Sequence, residues 1–308
     1  MTSANKEISI FQRPAWVVVF ALTCAIVWGW AFPLLKVGFR AFGITPDMTG
    51  GKMLFAGIRF TVAGLILLLL ARGSGRSFRT SKSGDWLFLI AFTLMNTTLH
   101  YFFFYVGMSH SLGSRAAILN SLGTFLVVLL ACACFKSDRL TSRKLIGCIV
   151  GFCGILALNL GGADSGRFTW LGDGMIIINT TCSAIGGLMT RGLSRRIDVF
   201  VGTGYSLAIG GLLLIFPGLA IGGTLPHINF LGISCLLALI TISALCFALY
   251  NKLLTLNPVG KVCIYNSLIP VVGAITSCFC LGETFYPKYV LAGGLAAIGI
   301  YIINKGRN

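Results

Sequence analysis

The sequence predicts an all-α integral membrane protein of ten transmembrane helices, arranged as two inverted five-helix repeats. Three observations carry that expectation. The first is composition. Of 308 residues, 56% are hydrophobic and only 10% charged, against about 25% charged in soluble domains, and the mean hydropathy is +0.90. The second is an internal repeat. Arg115–Cys134, RAAILNSLGTFLVVLLACAC, aligns with Lys261–Cys280, KVCIYNSLIPVVGAITSCFC, with six identities in twenty positions, among them Asn120 with Asn266 and both C-x-C pairs. The third is the placement of Lys and Arg: 17 fall on the termini and even-numbered connections and 6 on the odd-numbered ones.

A helix rising about 1.5 Å per residue needs about 20 apolar residues to cross about 30 Å of hydrocarbon. Ten stretches meet that demand: Pro14–Leu35, Met53–Ala71, Asp85–Val106, Ala116–Phe135, Leu145–Leu160, Trp170–Met189, Phe200–Ile221, Phe230–Tyr250, Val262–Leu281 and Pro287–Ile303. The first has a basic flank, Lys6 and Arg13, but its apolar run is too long for a signal peptide and no small-residue cleavage site follows. It reads as a retained helix. Five spans per half is an odd number, so the halves, 1–162 and 163–308, run through the bilayer in opposite senses. The basic bias places both termini in the cytoplasm and the chain in the plasma membrane.

Several function classes are disfavoured at this stage. The net charge of +16 comes from bases in short loops between apolar runs, so nucleic acid is not expected as a partner. The 11 cysteines lie almost all within apolar runs, without C-x-x-C spacing, and read as small buried hydrophobes. No metal or cofactor is expected. An intramembrane enzyme would need a nucleophile–base pair or an H-E-x-x-H motif, and neither is present; the chain is not expected to be an enzyme. A channel would show a charge ring or pore loop.

The motifs WGWAF at Trp28–Phe32, GIRF at Gly57–Phe60, NPVGK at Asn257–Lys261, P-x12-GE ending at Glu283 and the spaced Gly147, Gly151 and Gly154 resemble the EamA-type members of the drug/metabolite transporter superfamily. The resemblance covers essentially the whole chain. It implies secondary transport of small metabolites, amino acids included. Two departures stand out: Thr124 where the second half has Pro270, and Ser137-Asp138 where it has Gly282-Glu283. A channel or scramblase and a broad-specificity drug exporter are the alternatives.

Candidate substrate residues follow from depth. Asn96 and His100 lie near the middle of the third span, sharing one helical face with Thr93 and Thr97. Asn179 reaches similar depth in the sixth span, and Ser243, with Thr241, in the eighth. Such groups line a cavity or bond helix to helix. Trp28 and Trp30 lie inside the first span on different faces, and Trp28 is the better candidate for a pocket wall. Trp16, Trp86 and Trp170 start spans and read as an interfacial belt. Arg59 either snorkels to the outer interface or anchors a substrate carboxylate. Asn120, Asn266 and Tyr265 read as gate or vestibule residues, or as helix–helix glue, with the two Asn in opposite membrane halves. Glu283 reads as a surface cap or ion pair. None of the eight acidic residues falls at mid-depth, so neutral or zwitterionic substrates are expected, amino acids foremost, with a proton or another ion for coupling.

Overall fold

The computed structural model describes residues 9–134, 141–157, 168–257, 262 and 264–304. Every described regular element is helical, as the absence of period-two alternation and the long apolar runs require. The ten helices are α1 Pro14–Phe42, α2 Thr49–Gly73, α3 Asp85–His110, α4 Gly113–Cys134, α5 Ser142–Ala157, α6 Met175–Leu193, α7 Val199–Ala220, α8 Phe230–Leu256, α9 Leu268–Leu281 and α10 Pro287–Asn304. Six of them, α1 to α4, α7 and α8, are each long and apolar enough to cross a membrane. The protein is therefore a multi-pass, all-α membrane protein. The divide expected at residue 162 and the acidic pair Ser137-Asp138 lie outside the described residues, as do Pro258–Lys261 of the NPVGK motif.

Packing reveals the duplication directly. Helices α2 and α7, each the second of its half, lie along one another, as do α5 and α10. The remaining pairs come in matched sets: α1 with α9 mirrors α6 with α4, α1 with α8 mirrors α6 with α3, and α4 meets α9. Exchanging the halves maps these neighbours onto themselves.

The seam between α2 and α7 fixes the relative direction. Gly50, Gly57 and Gly64 meet Gly218, Gly211 and Gly204 in that order, rising numbers against falling ones. The equivalent helices are antiparallel, as inverted repeats require. A Cβ on Gly57 would sit 2.7 Å from the Gly211 carbonyl oxygen, and one on Gly211 equally close to that of Gly57. Only glycine lets the two backbones approach so far, and close approach is what replaces the hydrophobic effect inside lipid. The spaced glycines of α5 act alike: Gly147 and Gly151 meet Gly299, and Gly154 meets Ala292 and Ala296, again antiparallel.

Two helices change winding where the repeated INSL motif lies. Helix α4 breaks at Ser121, whose backbone N–H and Oγ both donate to the Ile118 carbonyl at 3.0 and 2.7 Å. Ahead of α9, residues Ile264–Ser267 form a 3-10 turn. A serine hydroxyl that competes for a carbonyl weakens the regular ladder, so the duplicated motif is a duplicated discontinuity. Helix α3 is interrupted too, by a wide π turn over Leu94–Thr98.

Candidate substrate site

The π turn redistributes the polar stripe expected on one face of α3. Thr97 Oγ1 and Ser206 Oγ of α7 share a hydrogen bond of 2.9 Å, and Thr98 Oγ1 donates to Gly210 O at 3.4 Å. Thr93 and Thr97 crowd Gly210; both are helix–helix contacts. Asn96 turns instead toward α6, where Gly186 leaves room for it: a Cβ there would meet Asn96 Oδ1 at 2.9 Å. His100 is half-buried, edge-on to Tyr101 with ring centroids 4.2 Å apart, and its Nδ1 is buried with no hydrogen-bond partner.

Arg59 departs from the expected snorkelling. It is 3% exposed. Its Nε donates to Ser243 Oγ at 2.9 Å and to Leu239 O at 3.2 Å, and its Nη1 donates to Tyr105 OH at 3.0 Å. The guanidinium lies 4.8 Å from the Phe60 ring centroid. The reason is a longer helix. Helix α2 begins at Thr49, not at Met53, because Gly50 and Gly51 pack against the 218–224 segment instead of forming a loop. Arg59 is thus ten residues in, about 15 Å along the axis, too deep to reach the interface. Taking a charge out of water costs several kcal/mol. Hydrogen bonds to a charged group return about 1.5–3 kcal/mol each, so these acceptors hold it there. Among the described residues no carboxylate pairs with it.

A row of rings leads away from that charge. Phe60 lies 3.9 Å from Tyr101 between centroids, Tyr101 lies 6.5 Å from Phe247, Phe247 lies 5.6 Å from Trp28, and Trp28 lies 5.0 Å from Tyr250. Trp28 faces inward while Trp30 is 42% exposed on the lipid side. At the far end Asn266 Nδ2 donates to Tyr250 OH at 2.6 Å, leaving Asn266 Oδ1 buried and unpartnered. Tyr265 packs beside Trp28 and Tyr250. The structure thus brings Arg59, Ser243 and Trp28 together through α2, α3 and α8, with Tyr265 and Asn266 closing the row. Asn120 and Asn179 belong elsewhere: Asn179 Nδ2 donates to Asn120 Oδ1 at 3.0 Å, tying the α4 break to α6. Thr241 is exposed and bonds its own helix at Leu237 O.

Sequence reasoning passed over Tyr101 and Tyr105. Their signal was present: two tyrosines at i and i+4 share the face of α3 turned to α2.

Two polar layers bound this region. Where α3 meets α4, Arg115 grips Asp173 with Nε and Nη2 at 2.8 and 2.9 Å, both side chains buried. Glu283, expected on the surface, is only 7% exposed. Its carboxylate accepts from Gly113 N, Ser114 N and Ser114 Oγ at 2.7–3.0 Å, capping α4, with Lys36 Nζ 3.8 Å away. The unsatisfied N–H groups of a helix start draw a carboxylate in from the surface. Lys52, also fully buried there, donates to Pro46 O and Ser109 Oγ. At the other end, Arg76 pairs with Asp198 at 2.9 Å and Arg196 with Asp85 at 3.2 Å, all partly exposed. Among the described residues no three His, Cys, Asp or Glu side chains gather as a metal site.

The pattern of the EamA-like transporter family matches residues 15–160 and again 170–305. The chain belongs to the EamA-like transporter family. The uncharacterized transporter YvbV of Bacillus subtilis is 26% identical over 287 residues, covering 91% of this chain and 88% of that protein. The S-adenosylmethionine/S-adenosylhomocysteine transporter of Chlamydia muridarum is 24% identical over 295 residues, covering 91% and 88%. A solved crystal structure shares the fold with a TM-score of 0.69 at 16% identity, covering 94% of this chain and 96% of that one. This EamA-family chain therefore moves a small molecule across a lipid bilayer.

Proposed function

We propose that this EamA-family chain is a secondary active transporter. It moves small neutral or zwitterionic metabolites, amino acids foremost, across the cytoplasmic membrane by alternating access, in the direction of export. The observation that supports this reading is Arg59, a fixed cation deep in the bundle with no carboxylate opposite it among the described residues. Ionisable groups within a membrane bundle are costly and are retained for function. A cationic drug would meet no acidic partner there, and contact with ring faces is worth only about 0.5–2 kcal/mol. Trp28, Asn96, His100 and Ser243 are the further substrate residues in this proposal, with Asn179 holding the α4 break. Asn120, Tyr265 and Asn266 are its gate residues. A proton or another ion supplies the coupling gradient.

A second reading keeps the mechanism and enlarges the cargo. S-adenosylmethionine, named for the Chlamydia relative, is an amino acid carrying a flat base. The row Tyr101, Phe247, Trp28 offers ring faces for such a base.

Purified protein in proteoliposomes, tested for gradient-driven flux of labelled amino acids, S-adenosylmethionine and a quaternary ammonium compound, decides between them. Flux of amino acids is expected. Robust flux of the quaternary ammonium compound alone would sink the proposal. Orientation is testable in whole cells on a cysteine-free background. A cysteine in the Leu225–Asn229 loop should react with an impermeant thiol reagent and one at Ser77–Ser83 should not; the reverse would overturn the placement of the termini.

A further inference from the structure

We infer that the Arg59 cluster is a donor-rich subsite that reads an oxyanion, so that a carboxylate on the cargo is obligatory and an ammonium group is dispensable. The inference rests on the transport reading above and redraws its substrate class as carboxylates with a flat or apolar body, zwitterionic amino acids being one case and simple organic anions another.

Ser243 Oγ accepts from Arg59 Nε and donates its own hydrogen to Leu239 O at 3.0 Å, so it has no hydrogen left to donate. Leu239 O is shared between these two. Tyr105 OH accepts from Arg59 Nη1, which occupies a lone pair and leaves the phenolic hydrogen free to donate. Nothing among the described residues receives that hydrogen, the Tyr101 hydroxyl hydrogen, or the Nη2 hydrogens of Arg59. Arg59 and Tyr105 thus present free hydrogens side by side, and among the described residues no carboxylate pairs with the guanidinium. Arginine's planar fork matches a carboxylate in two-point contact, and a phenolic O–H beside it adds a third bond to the same group.

An ammonium group would need the opposite chemistry. The described carboxylates are all committed at the two ends of the bundle. Asp47 accepts from Thr45, Asp85 pairs with Arg196, Asp198 with Arg76, Asp173 with Arg115, and Glu283 with Ser114 and Lys36. None is left to hold a cargo cation beside Arg59. What continues from the charge is ring surface: Phe60 under the guanidinium, then Tyr101, Phe247 and Trp28. Desolvating a carboxylate is offset by a cation already waiting in the bundle; desolvating an ammonium group has no such offset.

Four probes of one shape separate the possibilities: phenylalanine, 3-phenylpropionate, phenethylamine and phenylalanine methyl ester. Binding to the purified full-length protein is read by thermal shift and by tryptophan fluorescence. 3-Phenylpropionate should bind saturably and at least as tightly as phenylalanine, because the ammonium group finds no partner to offset its desolvation. The amine and the ester should not. Arg59→Gln should weaken both acids by about 10- to 100-fold, the range for a bond to a charged group. Tyr105→Phe, which keeps the buried ring and hence the fold, should weaken both by a smaller factor of about 3 to 10. Phenethylamine binding as tightly as 3-phenylpropionate, or unchanged acid affinity in folded Tyr105→Phe, overturns the inference. Failure of all four probes to bind also overturns it for this ring-lined site, while amino-acid flux in liposomes would leave the transport proposal standing.

Discussion

The two ends of the bundle hold charge in opposite ways. Where α3 turns into α4, the pair Arg115–Asp173 is 5% and 2% exposed, and Glu283 is drawn under the helix start it caps. Where α2 turns into α3, the pairs Arg76–Asp198 and Arg196–Asp85 lie partly in the open, with Arg76 and Asp198 each 29% exposed. Coulomb attraction is screened in water and barely screened in the interior. The Glu283 end is therefore held by interactions that fail badly when one partner is lost, and the Arg196 end by interactions that can be made and broken cheaply.

The largest effect should come from Asp173→Asn. The change is nearly isosteric and removes the carboxylate charge that faces buried Arg115 and accepts from Thr169 N; losing one partner of a buried ion pair costs about 3–5 kcal/mol. Reversible unfolding in mixed micelles should show a loss of that order, and a loss below about 1 kcal/mol would mean that this end is as wet as the other. Glu283→Gln comes next. It keeps a carbonyl for one of the α4 donors but forfeits the charge facing Lys36 and the helix start, for an expected cost of about 1.5–3 kcal/mol.

How much of this could be read from the sequence divides along physical lines. Among the described residues each expected span coincides with helical structure, because crossing hydrocarbon demands about 20 apolar residues and that demand is local. The INSL repeat was legible as duplication but not as a break in winding, since the competing Ser121 hydroxyl acts only once the helix exists. The sevenfold spacing of Gly50, Gly57 and Gly64 lay in plain view, as did that of Gly204, Gly211 and Gly218. What was missing was the partner, about 150 residues away, without which a glycine series has no mate. Arg59 was misplaced for a local reason: the run Thr49-Gly50-Gly51 looks like a loop until the 218–224 segment packs on it. The Arg115–Asp173 grip joins α4 to the entry of α6, a pairing that only tertiary structure creates.

The smallest effect is the most discriminating, and it lies in Asp198. That side chain does two things at once. It caps α7 by accepting from Phe200 N at 2.9 Å and Val201 N at 3.3 Å, and it pairs with Arg76. Replacing an Asp cap by Ala costs about 0.5–2 kcal/mol, whereas an exposed ion pair is worth about 0–1 kcal/mol. Asp198→Ala should therefore cost more than Asp198→Asn, which keeps a capping oxygen and loses only the charge. Arg76→Ala should resemble Asp198→Asn, with a small addition from its stacking 4.0 Å over the Phe200 ring. The coupling in a double-mutant cycle of Arg76→Ala with Asp198→Asn should be about 0.2–1 kcal/mol. It should shrink further at 1 M salt, where the Debye length is about 3 Å. A salt-insensitive coupling of about 3–5 kcal/mol, the scale of a buried pair, would show the Arg196 end to be sealed as tightly as its counterpart, and the contrast between the ends would be gone.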